Sequence, residues 1–381
     1  EKNKALMNTR EIWKRFDIPL FAVVLLLCVF GVALISSAIA GNPTLEGHPK
    51  RQAVFLVIGL VVLFVSASFD YHIWKTLSKP FYIVVALLLL LVFIFGGARF
   101  GAARWLETGL VTIQPAELAK IAIILTLSSF FSSNIEHINN WMTIGKSLIL
   151  TAGIVLWIMM QPNLSTSIVI FVTWATMLWI SGLKTKYILI MLGAAALFIG
   201  LSFLLDFPYL ADYQKARITN FLSPDEDARY GDTYNVDQAL ISIGSGGWFG
   251  KGYGQGPQVQ LRFLKIRHND FIFSVLAHEF GFVGTVLVLA SLVFVVVRCF
   301  KVAQNAPDAY GSLIAYGFGV LMAFQTIVNV GVNLRLLPVT GLTLPFISYG
   351  GSSLVSMLLG IGLVENIKMR SQEKEFREEP L

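Results

Sequence analysis

Apolar stretches long enough to cross a bilayer recur along this chain, and that recurrence constrains its fold more than any other feature. A window of membrane thickness places them at roughly 18–39, 52–69, 80–96, 115–133, 144–160, 164–181, 186–205, 270–299, 309–331 and 346–367. The expected fold is all-α and polytopic, with about ten transmembrane helices. Composition agrees. Of 381 residues 55% are hydrophobic and 14% charged, against roughly 25% charged in soluble domains, and the mean hydropathy is +0.70. The first stretch is too long for a cleaved signal peptide and has no small-residue cleavage site. The chain opens at Glu1, and Met7 reads as a candidate start.

The net charge is +6. The basic residues sit at the ends of the apolar stretches, so they fit membrane topology, and no nucleic acid is expected as a partner. Cys28 and Cys299 lie far apart in apolar segments and read as small core hydrophobes. The five histidines show no zinc spacing.

Lys and Arg orient the helices. One set of short loops and tails carries 16: Lys2, Lys4, Arg10, Lys14, Arg15, Lys75, Lys79, Lys146, Lys184, Lys186, Arg298, Lys301, Lys368, Arg370, Lys374 and Arg377. The other set carries 5: Lys50, Arg51, Arg99, Arg104 and Arg335. Both termini are therefore expected in the cytoplasm. The chain reads as one integral membrane domain over 1–381, with cytoplasmic tails at 1–17 and 368–381. A large extracytoplasmic loop at 206–269 lies between the seventh and eighth helices, and Asp270 opens the eighth at the outer surface.

Several constellations carry polar chemistry. Asp270 reads either as a helix N-cap or as a carboxylate at the lipid–water boundary within reach of a polar head group. Glu279, nine residues on, lies on roughly the opposite face and about 13 Å deeper, so the two are not expected to form an acid–base dyad. A glutamate at that depth costs roughly 3 kcal/mol unless paired. In "IQPAELAK", Glu117 and Lys120 share a helix face at a similar depth. A buried Glu117–Lys120–Glu279 cluster is expected, either as a structural ion pair or as part of a site. His278 reads as a cluster member or a packing donor. Arg104 and Trp105 suit a snorkelling interfacial anchor or a diphosphate.

"GSGGWFGKGYGQG" at 244–256 fails the P-loop pattern, because Ser245 stands where Gly is needed and Gly252 where Ser or Thr is. It reads as a flexible loop or as a place where backbone approaches a ligand, with Lys251 as a cation. Asp225 and Asp227 form an Asp-x-Asp triplet that reads as a solvated turn. "LLPVTGLTLPFISYGGSSL" reads as a re-entrant or kinked entry into the last helix.

Six blocks in this order resemble the SEDS family (shape, elongation, division and sporulation proteins) over nearly the whole chain. They are "ARW" at 103–105, "QPAELAK" at 114–120, "QPNLSTS" at 161–167, "QALISIGSGGWFGKGYGQG" at 238–256, "RHNDFIF" at 267–273 and "LPFISYGGSS" at 344–353. The Val339–Thr340–Gly341 step resembles the RodA elongation branch more than the FtsW division branch. The resemblance implies a ten-helix peptidoglycan glycosyltransferase (a hexosyltransferase) of the bacterial inner membrane. It would polymerise lipid II at the outer face, for cell elongation and shape, beside a class B penicillin-binding protein and among membrane lipids. The family's essential aspartate matches Asp270, and its membrane Glu and Lys match Glu117 and Lys120. Within the matching blocks, Gln114, Gln238, His268, Ser352 and Ser353 are the further substrate-binding candidates. Three positions depart from the family pattern: Asn163 for Asp, Asn269 for Thr, and His278 for the first of two acids.

The implied reaction inverts an α-linked donor to a β product, which needs a base opposite the leaving group. Asp270 is the expected base. Arg104, Lys120, Arg217 and Lys251 are the candidate cations for the departing diphosphate. No clean metal cage is visible; a divalent cation, magnesium or manganese, is the one cofactor left open. A lipid II flippase and a non-catalytic scaffold that activates a synthase are the alternative readings.

Overall fold

The computed structural model describes residues 9–95, 98–99, 102–103, 105–107, 112–204, 217, 220–221, 223, 231–256 and 268–371. Arg104, Asp225 and Asp227 lie outside the described residues, as do the ends of both tails. After a short α1 (Thr9–Trp13), the chain runs through α2 (Ile18–Ala38), α3 (His48–Ser68), α4 (Tyr71–Phe95), α5 (Pro115–Ser132), α6 (Trp141–Met160), α7 (Leu164–Ile180) and α8 (Thr185–Leu204). It continues with α9 (Asp232–Gly246), α10 (Ile272–Gln304), α11 (Ala309–Asn333) and α12 (Gly351–Arg370). Two antiparallel ladders of two-residue strands, Ala98–Arg99 with Ala102–Ala103 and Leu106–Glu107 with Thr112–Ile113, lie between α4 and α5.

A helix stands at each expected apolar segment. Among the described residues, eight helices are long and apolar enough to cross a membrane: α2 to α6 and α10 to α12. The chain is thus a multi-pass membrane protein. α5 and α12 are the central helices, with 78% of their apolar windows buried, whereas α4 and α10 bury only 22%. The outward faces carry Val54, Val57, Ile83, Leu87 and Phe95, all exposed. Such a surface suits lipid, which solvates apolar side chains as well as a protein core does.

The helix α10 is broken. Gly281 has φ 67 and ψ −166, which interrupts the hydrogen-bond ladder and strands backbone groups that hydrocarbon cannot satisfy. The glycine-rich segment after α9 supplies them. Lys251 N and Gly252 N donate to the carbonyls of His278 and Glu279, each at 3.0 Å. Phe282 N and Val283 N donate to the carbonyls of Gly247 at 2.8 Å and Trp248 at 3.0 Å. The approach leaves no room for a side chain: a Cβ on Gly250 would sit 2.1 Å from the Glu279 carbonyl. The sequence expectation of a close-approach loop holds, but the partner of its glycines is the chain's own backbone.

At the end of the bundle near the tails, charges close on one another. Arg298 Nε donates to Asp17 Oδ2 at 2.9 Å, and Asp17 N donates to the buried Glu365 at 2.9 Å. His72 sits between Asp70 and Asp308, with each ring nitrogen 2.7 Å from a carboxylate oxygen. The cysteines Cys28 and Cys299 are free and buried, as expected.

Candidate functional site

At the opposite end, the α11–α12 connection runs back into the bundle without regular structure. Leu342, Leu344, Phe346, Ile347 and Ser348 are all buried. Irregular buried backbone requires polar partners, and the polar residues around it supply them. Asn329 Nδ2 donates to Leu342 O at 2.7 Å, and Ser165 Oγ donates to Thr340 O. Ser348 Oγ accepts from Leu344 N and donates to Asn269 O, each at 2.8 Å. Gln52 binds Ser348 O through its amide nitrogen and Gly350 N through its amide oxygen.

Asp270 is built into this connection. Its main-chain carbonyl accepts from Asn329 Nδ2 and Asn333 Nδ2, both at 3.0 Å. Its carboxylate lies against Gly341, whose φ is +77; a Cβ there would stand 3.5 Å from Asp270 Oδ2. The N-cap expectation is corrected: α10 opens at Ile272 with Phe271 in the cap position and no side-chain cap. Asp270 is half-buried at the mouth.

Around it stand several of the expected residues. His268 O accepts from Tyr349 N at 2.9 Å, and its ring packs against His48 and Tyr349. Gln114, in the cap position of α5, donates its N–H to Ser352 Oγ at 3.0 Å. Ser353 Oγ lies 3.1 Å from Thr343 Oγ1. Arg217 Nη1 reaches Thr340 O at 3.5 Å. Arg217 and Asp270 thus meet the same Thr340–Gly341 peptide. Trp105 is half-buried between the two short ladders. Asn163, one of the three departures, caps α7 by accepting from Thr166 N at 3.3 Å.

One turn into α5, Lys120 Nζ pairs with Glu117 Oε2 at 2.8 Å, both nearly fully buried. Gly317 of α11 faces Ile124 of α5, 3.1 Å from where a Cβ would stand. These helices run antiparallel, so two turns toward the Asp270 end bring Glu117 level with Gln325. Both amide atoms of Gln325 are buried without a hydrogen bond among the described residues.

The expected Glu117–Lys120–Glu279 cluster does not form. Glu279 accepts from Ser37 of α2, and His278 Nδ1 faces Ser245 Oγ at 2.8 Å and Ser242 O at 3.1 Å on α9. The side chains of this stretch go instead to α2 and α9, which pack against α10. His278 is therefore a packing donor. Lys251 is exposed and tied through its N–H to His278 O, eight residues and about 12 Å along the axis from Asp270. It is not gathered with the carboxylate. Gln238 is half-buried on α9, with its carbonyl accepting from Ser242 Oγ at 2.7 Å.

Four residues at the mouth escaped sequence reasoning. Asn329 and Asn333 are four apart on one helix face, a spacing that could have marked them. Gly341 stands in the quoted block, but its positive φ shows only in the fold. Arg335 entered only as a loop charge. It has φ 57, and its guanidinium pairs with Asp237 of α9 at 2.7 Å. Arg217, Arg335, Val236 and Val339 line one cleft. Among the described residues no three His, Cys, Asp or Glu side chains converge as a metal cage.

Comparison with known proteins places this arrangement. The FtsW, RodA and SpoVE family model, described as cell cycle protein, matches residues 18–373. Stage V sporulation protein E of Bacillus subtilis strain 168 is 36% identical over 93% of this chain and 98% of its own length. Peptidoglycan glycosyltransferase MrdB of Escherichia coli K12 is 35% identical over 94% of this chain and 96% of its own. A solved chain from work on how a peptidoglycan synthase complex coordinates polymerization and crosslinking superposes with a TM-score of 0.79. It is 31% identical, over 94% of this chain and 98% of that one.

Proposed function

This chain belongs to the FtsW, RodA and SpoVE family and is a peptidoglycan glycosyltransferase; we propose that it polymerises lipid II with Asp270 as the general base. The observation that carries the reading is the seat of Asp270. Two buried asparagines fix its backbone, its carboxylate packs against Gly341 of the connection, and Arg217 reaches the carbonyl of the neighbouring Thr340. A fixed base beside a cation is what an inverting transfer requires.

The acceptor's 4-hydroxyl attacks C1 of the donor sugar as the C1–O bond to the diphosphate breaks. Asp270 takes the hydroxyl proton. The diphosphate leaves with the bonding pair, and Arg217 neutralises the charge that develops on it. The Glu117–Lys120 pair, buried one turn below, acts through its field and by holding α5 against α11. His268, Gln114, Ser352 and Ser353 shape the mouth. Trp105, Gln238 and Lys251 serve more distant parts of the substrate, and Arg104 remains a candidate cation. Ten membrane crossings follow from the apolar segments, and cytoplasmic termini and an outward-facing Asp270 from the distribution of Lys and Arg.

The elongation role rests on the Val339–Thr340–Gly341 step. The sporulation and MrdB relatives lie within one percentage point of each other, 36% and 35%, so overall identity does not choose the branch. A class B penicillin-binding protein is the proposed partner, in keeping with the synthase complex that holds the similar chain. The test is polymerisation of lipid II by the purified chain with that partner in detergent, where no second compartment exists. Glycan product supports the reading. A flippase or a pure scaffold gives none. A parallel reaction with chelator tests the divalent cation: retained activity removes it from the account.

A further inference from the structure

The mechanism leaves one charged feature of the mouth unused. Arg335 stands in a left-handed backbone conformation that suits glycine, at φ 57. Its guanidinium pairs with Asp237, the residue after the cleft-lining Val236, and both side chains remain 37% exposed. Arg217 lines the same cleft, and Phe221, Val236 and Leu337 supply an apolar wall. Through Thr340 and Gly341 the cleft adjoins the Asp270 carboxylate. Two guanidinium forks beside an apolar wall suit an anion joined to a hydrocarbon chain.

We propose that this cleft binds a diphosphate group through Arg335 and Arg217, and that Asp237 is the internal counter-ion the diphosphate displaces from Arg335. The assignment rests on the reading of the chain as a lipid II polymerase, which supplies the diphosphate, and it adds Arg335 and Asp237 as binding residues. Asp237 holds the Arg335 fork in place when the cleft is empty, and exchange of one anion for another keeps the guanidinium paired throughout.

Two substitutions move the affinity in opposite directions. Arg335→Gly removes the fork and suits the positive φ, so the variant should melt at or above the wild-type temperature. Asp237→Asn removes the competing carboxylate. Binding of inorganic pyrophosphate and of undecaprenyl diphosphate to the full-length protein in detergent is read by calorimetry. Arg335→Gly should weaken binding about tenfold or more, the scale of a lost charge-assisted hydrogen bond, and Asp237→Asn should strengthen it. A response with both ligands assigns the site to the lipid-linked group; a response with pyrophosphate alone assigns it to free diphosphate. Affinities within twofold of wild type in both variants, or no measurable binding, overturn the site. Because the readout is binding, that failure is separable from a failure to polymerise lipid II.

Discussion

The two ends of the bundle use polar side chains in different proportions. Near the tails, charges close on one another: Asp17 with Arg298, and Asp70 and Asp308 on either side of His72. At the Asp270 end the polar side chains around the buried connection go mostly to backbone, and the Arg335–Asp237 pair stands beside them. Asn329, Ser165, Ser348 and Gln52 bind main-chain groups of the re-entrant connection, and Asn329, Asn333 and Ser348 bind the Asn269 and Asp270 carbonyls just before α10. The first arrangement ties helices together. The second fixes an irregular path and presents a carboxylate and two guanidiniums at a mouth.

The sharpest way to break this contrast is at the tail end. Arg298→Met leaves the buried Asp17 carboxylate without its cation. The expected loss is roughly 3–5 kcal/mol of stability, seen as a large drop in melting temperature in detergent. Polymerisation per folded molecule should be unchanged. A stable variant, or one folded but inactive, would erase the distinction between the ends.

The broken helix comes next. Gly250→Ala forces a Cβ to within 2.1 Å of the Glu279 carbonyl and should cost about 1–3 kcal/mol. Limited proteolysis should then cut the glycine-rich segment after α9 sooner than in wild type; unchanged protection would mean the segment is not held by these contacts.

At the mouth the expected signature reverses. Asn333→Ala removes one of two donors to the Asp270 carbonyl, with about 1 kcal/mol lost in stability. Turnover should fall about tenfold because the carboxylate is misplaced. Stability and turnover are measured on the same preparation, and a variant that loses stability alone would place Asn333 among structural residues.

The smallest effect is acid sensitivity. The hydrogen bond from His72 holds the Asp70 carboxyl down to about 2. Burial raises Asp308, but hydrogen bonds from His72 and Gly311 N outweigh it and lower the carboxyl overall. Both folded values lie below the unfolded value of about 3.9. Their stabilisation is therefore complete above about pH 4 and is lost as pH falls toward 2. Asp70→Asn should flatten the melting temperature across that window. A variant as acid-sensitive as wild type would remove Asp70 from the tie.

The apolar segments were legible because membrane length and apolarity are local properties. Asp270, Gln114 and the block at 344–353 were legible as a group, and the fold brings them to one mouth. What escaped depends on distant partners. Glu279 bonds Ser37 of α2, while Lys120 pairs with Glu117, because which helix faces a residue is set by packing that spacing does not show. Gly281 reads like any glycine in a membrane helix until the segment at 247–252 docks on it. Arg335 carries no local sign of its positive φ or of Asp237, about a hundred positions earlier in the chain.

The account turns on the carboxylate at the mouth of α10. Asp270→Asn keeps the shape and the clamped carbonyl while removing the base. Assayed with its partner on lipid II in detergent, this variant should melt like wild type and polymerise about a hundredfold more slowly or less. Near wild-type glycan synthesis by Asp270→Asn would contradict the base role.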